Sequence, residues 1–584
     1  VIAPLDDRVR IDDLASPEWT PAARPYVDGL AAYGEDLGLD ALTPERVRDA
    51  ASEQTGLDTW GDPRFGERLD LLCRALRDEA GLSALGLALT YESLVQTLRG
   101  RLLVEDLLAR HPEIEQVPIE RPIVICGLPR TGTTHLHNLL SADPALRHLP
   151  YWESLEPVLP PGEAAAAGVT GAGFGGPDDP RRERTQMAVD LVDTCMPLFK
   201  RMHEMTVDHA HEEIQLLALD IGGMFFETTA PMPSWREHYT TTDQTSSYRY
   251  LRRVLQALTW LRPEAGSRWV LKSPQHLEQL GPLAATFPDA TYVITHRDPV
   301  AVTASTCTML AYTARLRMAH PDPRAIGAYW SSRVEELLLS GMRDRDLLPA
   351  DSIVDVVLDD FVADEDATVR RIYSVAGQPL GDEARAAMAA FVAAHPRGRH
   401  GTIAYDLDVL GIDASTRRAA LAPYRTTTPS ATKPSDPAAG RAGVRGSSGS
   451  GGRRARVGSR GGRRGGARRR GRRGCGRGRR GRRPKSEGRP SSPRRGWRPR
   501  RRPAGGRRRR RGAARRACRP GSAARRPTAR PRSRTGRGGC SARAAARSSR
   551  GRTGRTATGR RGRARRPTTS PTPTTRCRRR SAAA

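Results

Sequence analysis

Apolar residues recur at three- and four-residue intervals through Leu69, Leu72, Cys73 and Leu76, and again through Leu94, Leu98, Leu102 and Leu103. That spacing lines one face of a helix, so residues 1–118 are expected to form a helical N-terminal extension. At Ile123 the period breaks. Four consecutive apolar residues, Ile123-Val124-Ile125-Cys126, run into a loop punctuated by Gly and Pro and then into a helix-like stretch at 135–140. Strand, glycine loop and helix in succession is the pattern of an α/β phosphate site. Residues 157–180 are rich in Gly, Ala and Pro and read as a loop or lid, after which helical patterning resumes over 187–260. Strand signals return at 268–272 and 291–295 around a helical segment at 276–287, a βαβ unit whose strands must lie parallel. A fourth strand is expected at 352–358 and a helix at 366–376. The expected class is α/β, with residues 119–425 as the α/β domain.

Charge divides the chain at about the same place where the periodicity ends. The 584 residues carry a formal charge of +33. Residues 1–425 hold 42 Lys and Arg against 62 Asp and Glu, whereas residues 426–584 hold 55 against 2. The second part has no Ile, Leu, Met, Phe, Tyr or His, so it lacks the material of a core and is expected to be a disordered basic tail of low complexity. Taken as a product, such a polycation binds nucleic acid by counterion release. Its Arg, Gly, Ala and Pro are also what a GC-rich gene yields when read in the wrong frame, and with Trp497 as its single aromatic it lacks the repeated rings that stack on bases. In the body no run of 18 apolar residues occurs, and the N-terminus is acidic where an export signal is basic, so a cytoplasmic location is expected. The body's cysteines, Cys73, Cys126, Cys195 and Cys307, have no metal-ligand spacing and are expected to pack as reduced thiols.

The chemistry concentrates in Gly127-Leu128-Pro129-Arg130-Thr131-Gly132-Thr133-Thr134, between the first strand and its helix. Small residues let backbone N–H groups curl around an anion, the helix N-terminus adds its positive end, and Arg130 and the threonine hydroxyls add donors. A nucleoside-triphosphate loop requires GxxxxGK[ST]; the spacing from Gly127 to Gly132 fits, but Thr133 stands where the lysine belongs. His296-Arg297-Asp298 suggests a kinase catalytic loop, yet Thr303 occupies the position of its asparagine and no DFG follows. His209 and His211 are two apart, which on a helix would place them on different faces and disfavours a metal.

The loop, together with Arg297 and Ser305 eight residues apart after a later strand, resembles the sulfotransferases that use 3′-phosphoadenosine-5′-phosphosulfate (PAPS), in particular a bacterial branch with a PRTGTT loop. LKSPQHL (271–277), THRDP (295–299) and HPRGRHGTIAYDL (395–407) extend the resemblance over most of residues 50–425. It implies a P-loop-like three-layer fold with a central parallel sheet. It also implies a donor site in which Gly127, Arg130, Thr131, Gly132, Thr133 and Thr134 hold the phosphosulfate end and Arg297 and Ser305 the 3′-phosphate. PAPS would be the co-substrate and no metal would be required.

Sulfuryl transfer needs a proton acceptor on one side of sulfur and stabilisation of growing negative charge on the other. Arg130 and Lys272 are expected to supply the charge, and Glu153, or alternatively His276, to act as base. The acceptor is expected to be a small molecule, glycan or lipid with a hydroxyl or amine. Two other classes fit parts of the sequence: a nucleotide kinase or NTPase on a degenerate loop, which predicts magnesium dependence, and a nucleic-acid-binding protein acting through the tail.

Overall fold

Strand residues that alternate between two apolar faces need helices on both, and this requirement sets the architecture. The computed structural model describes residues 8–166, 174–266 and 268–427. A five-stranded sheet is built from β2 (Ile123–Cys126), β3 (Leu146–Arg147), β4 (Arg268–Ser273), β5 (Thr291–His296) and β6 (Ile353–Val357), in the order β3-β4-β2-β5-β6. Every pairing is parallel, with Cys126 of β2 opposite Ser273 and Ile294. A separate two-stranded ladder joins β1 (Arg8–Val9) to β7 (Thr402–Ile403).

One face of the sheet presents Ile123, Ile125, Val270 and Val293 to α5 (Thr133–Ser141) through Leu136, Leu139 and Leu140, and to a later helix, α8 (Glu365–Ala376), through Val369 and Ile372. The other face presents Val124, Cys126, Leu271 and Ile294 to a larger cluster. That cluster includes α3 (Arg64–Asp78), α4 (Ala84–Arg110) and α6 (Thr245–Leu261). Of the helices of residues 1–118, α1 (Arg24–Leu37) packs on α4 through a separate small cluster of Val27 and Leu85, whereas α2 (Pro44–Thr55), α3 and α4 share this core with the α/β part, α4 packing on α6. Leu69, Leu72, Leu98 and Leu102 are fully buried there, each contributing roughly 2 kcal/mol by removal from water.

The patterning departs from the observed elements where Pro and Gly intervene. The expected helix at 276–287 is a 3-10 turn, Pro274–Glu278, and a separate helix, Leu280–Thr286, because Gln279 leaves helical geometry at φ −130°. The segment 187–260 is several helices separated at Pro197, Gly222, Gly223, Pro231 and Pro233. Of the glycine-rich stretch 157–180, residues Pro161–Ala166 are helical, whereas 167–173 lie outside the described residues, as does the basic tail from 428 onward. Cys73, Cys126, Cys195 and Cys307 are free and buried, and burial pushes the Cys73 and Cys307 thiols up to about 12. Among the described residues no helix is long and apolar enough to cross a membrane.

Candidate active site

The carboxyl ends of the central strands bring the loops after β2, β4 and β5 to one edge of the sheet, where open α/β folds bind ligands. The loop after β2 is shaped by two glycines. A Cβ on Gly127 would fall 1.8 Å from Thr295 Oγ1, so the loop can lie against β5 only without a side chain there. Gly132 caps α5 in the left-handed region at φ 87°. Between them Arg130 also has a left-handed backbone, φ 73°, a conformation that costs a side-chain-bearing residue about 1–3 kcal/mol. Thr131 ties the loop down: its hydroxyl donates to the Leu128 carbonyl at 2.7 Å and lies 2.7 Å from Thr295 Oγ1.

Arg130 is the hub. Its Nε donates to Ser305 Oγ at 3.0 Å, its Nη1 donates to the Met202 carbonyl, and its own carbonyl accepts from Arg297 Nη1 at 2.7 Å. Arg297 follows β5 directly, and Ser305 lies two turns into α7 (Pro299–Thr313), which Asp298 caps through the Val300 N–H. Burial, augmented by the like charge of Arg130, draws the Arg297 guanidinium below its ordinary value.

These groups open on a cavity of about 640 Å³, a size suited to a nucleotide-scale ligand. Its walls carry six cations, Arg130, Lys200, Arg201, Arg297, Arg397 and Arg399, against the carboxylates Glu204 and Asp208. Thr133 and Thr134 at the start of α5 line the cavity together with the segment 395–401, which is held by Arg397 to Glu365 at 3.0 Å and by Arg399 to Glu204. An excess of fixed positive charge at a helix N-terminus suits a polyanionic nucleotide.

The sequence profile of the Sulfotransferase family matches residues 122–382. The crystal structure of sulfotransferase STF1 from Mycobacterium tuberculosis H37Rv is similar at 31% identity and a TM-score of 0.56, covering 65% of this chain and 98% of STF1. The chain belongs to the sulfotransferase family. Sulfotransferase STF9 from Mycobacterium avium is similar at 26% identity and a TM-score of 0.59, over 66% of this chain and 96% of STF9. No curated protein matches the chain.

Within this sulfotransferase the residues expected from sequence separate into two sets. Arg130, Gly132, Thr133, Thr134 and Arg297 line the cavity together. Gly127, Thr131 and Ser305 lie behind that surface and shape it, Ser305 being fully buried against Arg130. Lys272, at the end of β4, is 2% exposed and is ion-paired to Glu212 behind the wall.

The two expected bases both sit inside the fold. Glu153 is 1% exposed, with Oε1 shared between Arg147 at 3.5 Å and Arg262 at 3.1 Å and Oε2 buried without a hydrogen bond. His276 is wholly buried, with Glu213 Oε1 2.5 Å from one ring nitrogen and the Tyr248 hydroxyl 2.8 Å from the other. Neither lines the cavity.

Sequence reading also missed the segment after the 3-10 turn Phe199–Arg201, which brings His203, Glu204, Asp208 and His209 to the cavity. It has no periodic pattern. The expectation that His209 and His211 diverge on a helix fails because Ala210 instead bridges to Pro150, and the two imidazoles meet at 3.0 Å. Burial lowers His209 to about 4 and holds His203 and His211 well below the usual imidazole value, with the positive charge of Lys272 acting on all three.

Proposed function

We propose that the cavity at the carboxyl edge of the sheet is the PAPS site, from which this sulfotransferase delivers a sulfuryl group to a hydroxyl or amine of a small-molecule acceptor. PAPS when bound supplies the sulfuryl group and its phosphate leaving group. The residues fit it: backbone N–H groups at the start of α5, the hydroxyls of Thr133 and Thr134, and the guanidinium of Arg130 lie at the loop end, and Arg297 lines the same cavity. Gly127 and Gly132 allow the backbone to curl there, Thr131 fixes the curl, and Ser305 orients Arg130.

The single observation that carries this reading is the convergence of two anion-binding elements, the loop after β2 and the arginine after β5, through the contact of Arg297 with the Arg130 carbonyl. Charge appearing on the departing oxygen would be met by Arg130, whose guanidinium stays charged throughout. Lys272 adds positive potential from behind the wall, as the lowered imidazoles around it register.

Calorimetric titration of the full chain with adenosine 3′,5′-bisphosphate, the product nucleotide, tests the assignment. Saturable binding in EDTA, and weaker binding of magnesium-ATP, is the expected result. Preference for magnesium-ATP would replace it with phosphoryl transfer on a degenerate loop.

A further inference from the structure

A base for sulfuryl transfer must reach the acceptor, be unprotonated at neutral pH and have a ring nitrogen or carboxylate oxygen not already engaged. Around the cavity most basic groups are committed to a partner through at least one atom. Glu204 accepts from Arg399 and His400, and Asp208 is held by both terminal nitrogens of Arg182 at 2.6 Å each. His209 is engaged at both ring nitrogens, by Thr206 and His211, and His135, His395 and His400 each have one ring nitrogen taken, by Glu365 at 3.0 Å, the Phe391 carbonyl at 2.9 Å and Glu204.

His203 differs. Among the described residues its ring makes no hydrogen bond; it packs edge-on to Phe199 at 5.9 Å and to His209 at 6.5 Å, and it lines the cavity. The preceding residue, Met202, gives its carbonyl to the Arg130 guanidinium, which places His203 beside the loop end of the site. Lys272, His209 and Arg130 are the charged and titratable groups acting on it. His148, the other cavity imidazole without a hydrogen bond, is influenced instead by Glu153, Arg262, Arg147 and Asp208, away from the loop.

We propose that His203 is the catalytic residue that accepts the acceptor's proton, an inference that rests on the PAPS-site reading above. As the acceptor oxygen forms its bond to sulfur, its proton passes to a His203 ring nitrogen. The bond from sulfur to the bridging phosphate oxygen breaks, with the electron pair leaving on that oxygen. The imidazolium then loses its proton to water through the cavity mouth. Burial and the two nearby cations keep the ring unprotonated at neutral pH, so it starts each turnover ready to accept.

The test uses the full chain, with PAPS as the probe and water as the acceptor, following release of labelled sulfate alongside the affinity for adenosine 3′,5′-bisphosphate. His203→Ala is expected to slow hydrolysis by about 100-fold or more while nucleotide affinity changes by less than about 3-fold. Added imidazole should restore part of the rate in His203→Ala but not in His203→Gln, where the amide fills the space. Hydrolysis within about 3-fold of the parent in both variants, or a loss that imidazole does not restore, overturns the proposal. Failure of the parent protein to bind the bisphosphate would instead remove the site reading on which it depends.

Discussion

Arg130 Nε donates to Ser305 Oγ at 3.0 Å, joining the loop after β2 to the interior of α7. Sequence resemblance assigns these two residues to opposite ends of the donor, the phosphosulfate and the 3′-phosphate. In the structure they hold each other, with Arg297 fastened to the carbonyl of the same arginine. The proposed donor site is thus one connected unit, and a substitution at any of the three is expected to be felt at both ends of the ligand.

Arg297→Ala removes a half-buried guanidinium and its bond to the loop. A hydrogen bond from a charged group is worth about 1.5–3 kcal/mol, so affinity for adenosine 3′,5′-bisphosphate should fall by about 10- to 100-fold. Calorimetric titration of the variant reads this directly. Ser305→Ala, which frees Arg130 without removing a charge, should have a smaller effect.

Gly127→Ala drives a methyl group into Thr295 Oγ1. Overpacking of this kind costs about 1–3 kcal/mol, so thermal unfolding should shift downward and nucleotide binding should weaken through displacement of the loop. Gly162→Ala, where a Cβ meets nothing within 4 Å, is the control and should leave both unchanged.

Glu153→Ala distinguishes a structural carboxylate from a catalytic one. Removing it leaves the buried Arg147 and the half-buried Arg262 without their shared carboxylate, at a cost of up to about 3–5 kcal/mol in stability. Urea unfolding should show that loss, whereas PAPS hydrolysis per folded molecule should be nearly unaffected. A large fall in turnover with unchanged stability would return Glu153 to the chemistry.

The histidines around the cavity set an acid limit on stability. His148 and His209 are drawn to about 4 by burial, below the ordinary 6.5. Above pH 6.5 the ring is neutral in both folded and unfolded chains and pH has no effect through it. Between 6.5 and 4 the unfolded chain takes up the proton first, so stability falls as pH falls. Urea midpoints measured from pH 7.5 to 4.5 should decline, and His148→Asn should shallow that decline.

The elements that were legible in the sequence are those whose signals are local. The run Ile123–Cys126 and the loop from Gly127 to Thr134 announce strand, turn and helix within twelve residues, and the alternation of Ile123 and Ile125 against Val124 and Cys126 foretells helices on both faces. β3 is two residues long, too short for any period, and β1 finds β7 across most of the body. Glu153 stands in a sequence that gives no hint of Arg147 and Arg262 on either side, because Arg262 arrives from the end of a distant helix. His203 lies in irregular chain, and its place beside Arg130 depends on a backbone carbonyl, which every residue has and no motif reports.

The central claim is that one cavity, floored by the loop after β2 and flanked by Arg297, holds both phosphate ends of the donor. A crystal structure of the full chain with adenosine 3′,5′-bisphosphate tests it most directly. The 5′-phosphate is expected against the N–H groups of Gly132, Thr133 and Thr134, and the 3′-phosphate within hydrogen-bonding reach of Arg297, with Arg130 still held by Ser305. Nucleotide bound elsewhere, or bound in this cavity without contact to Arg297, would contradict it.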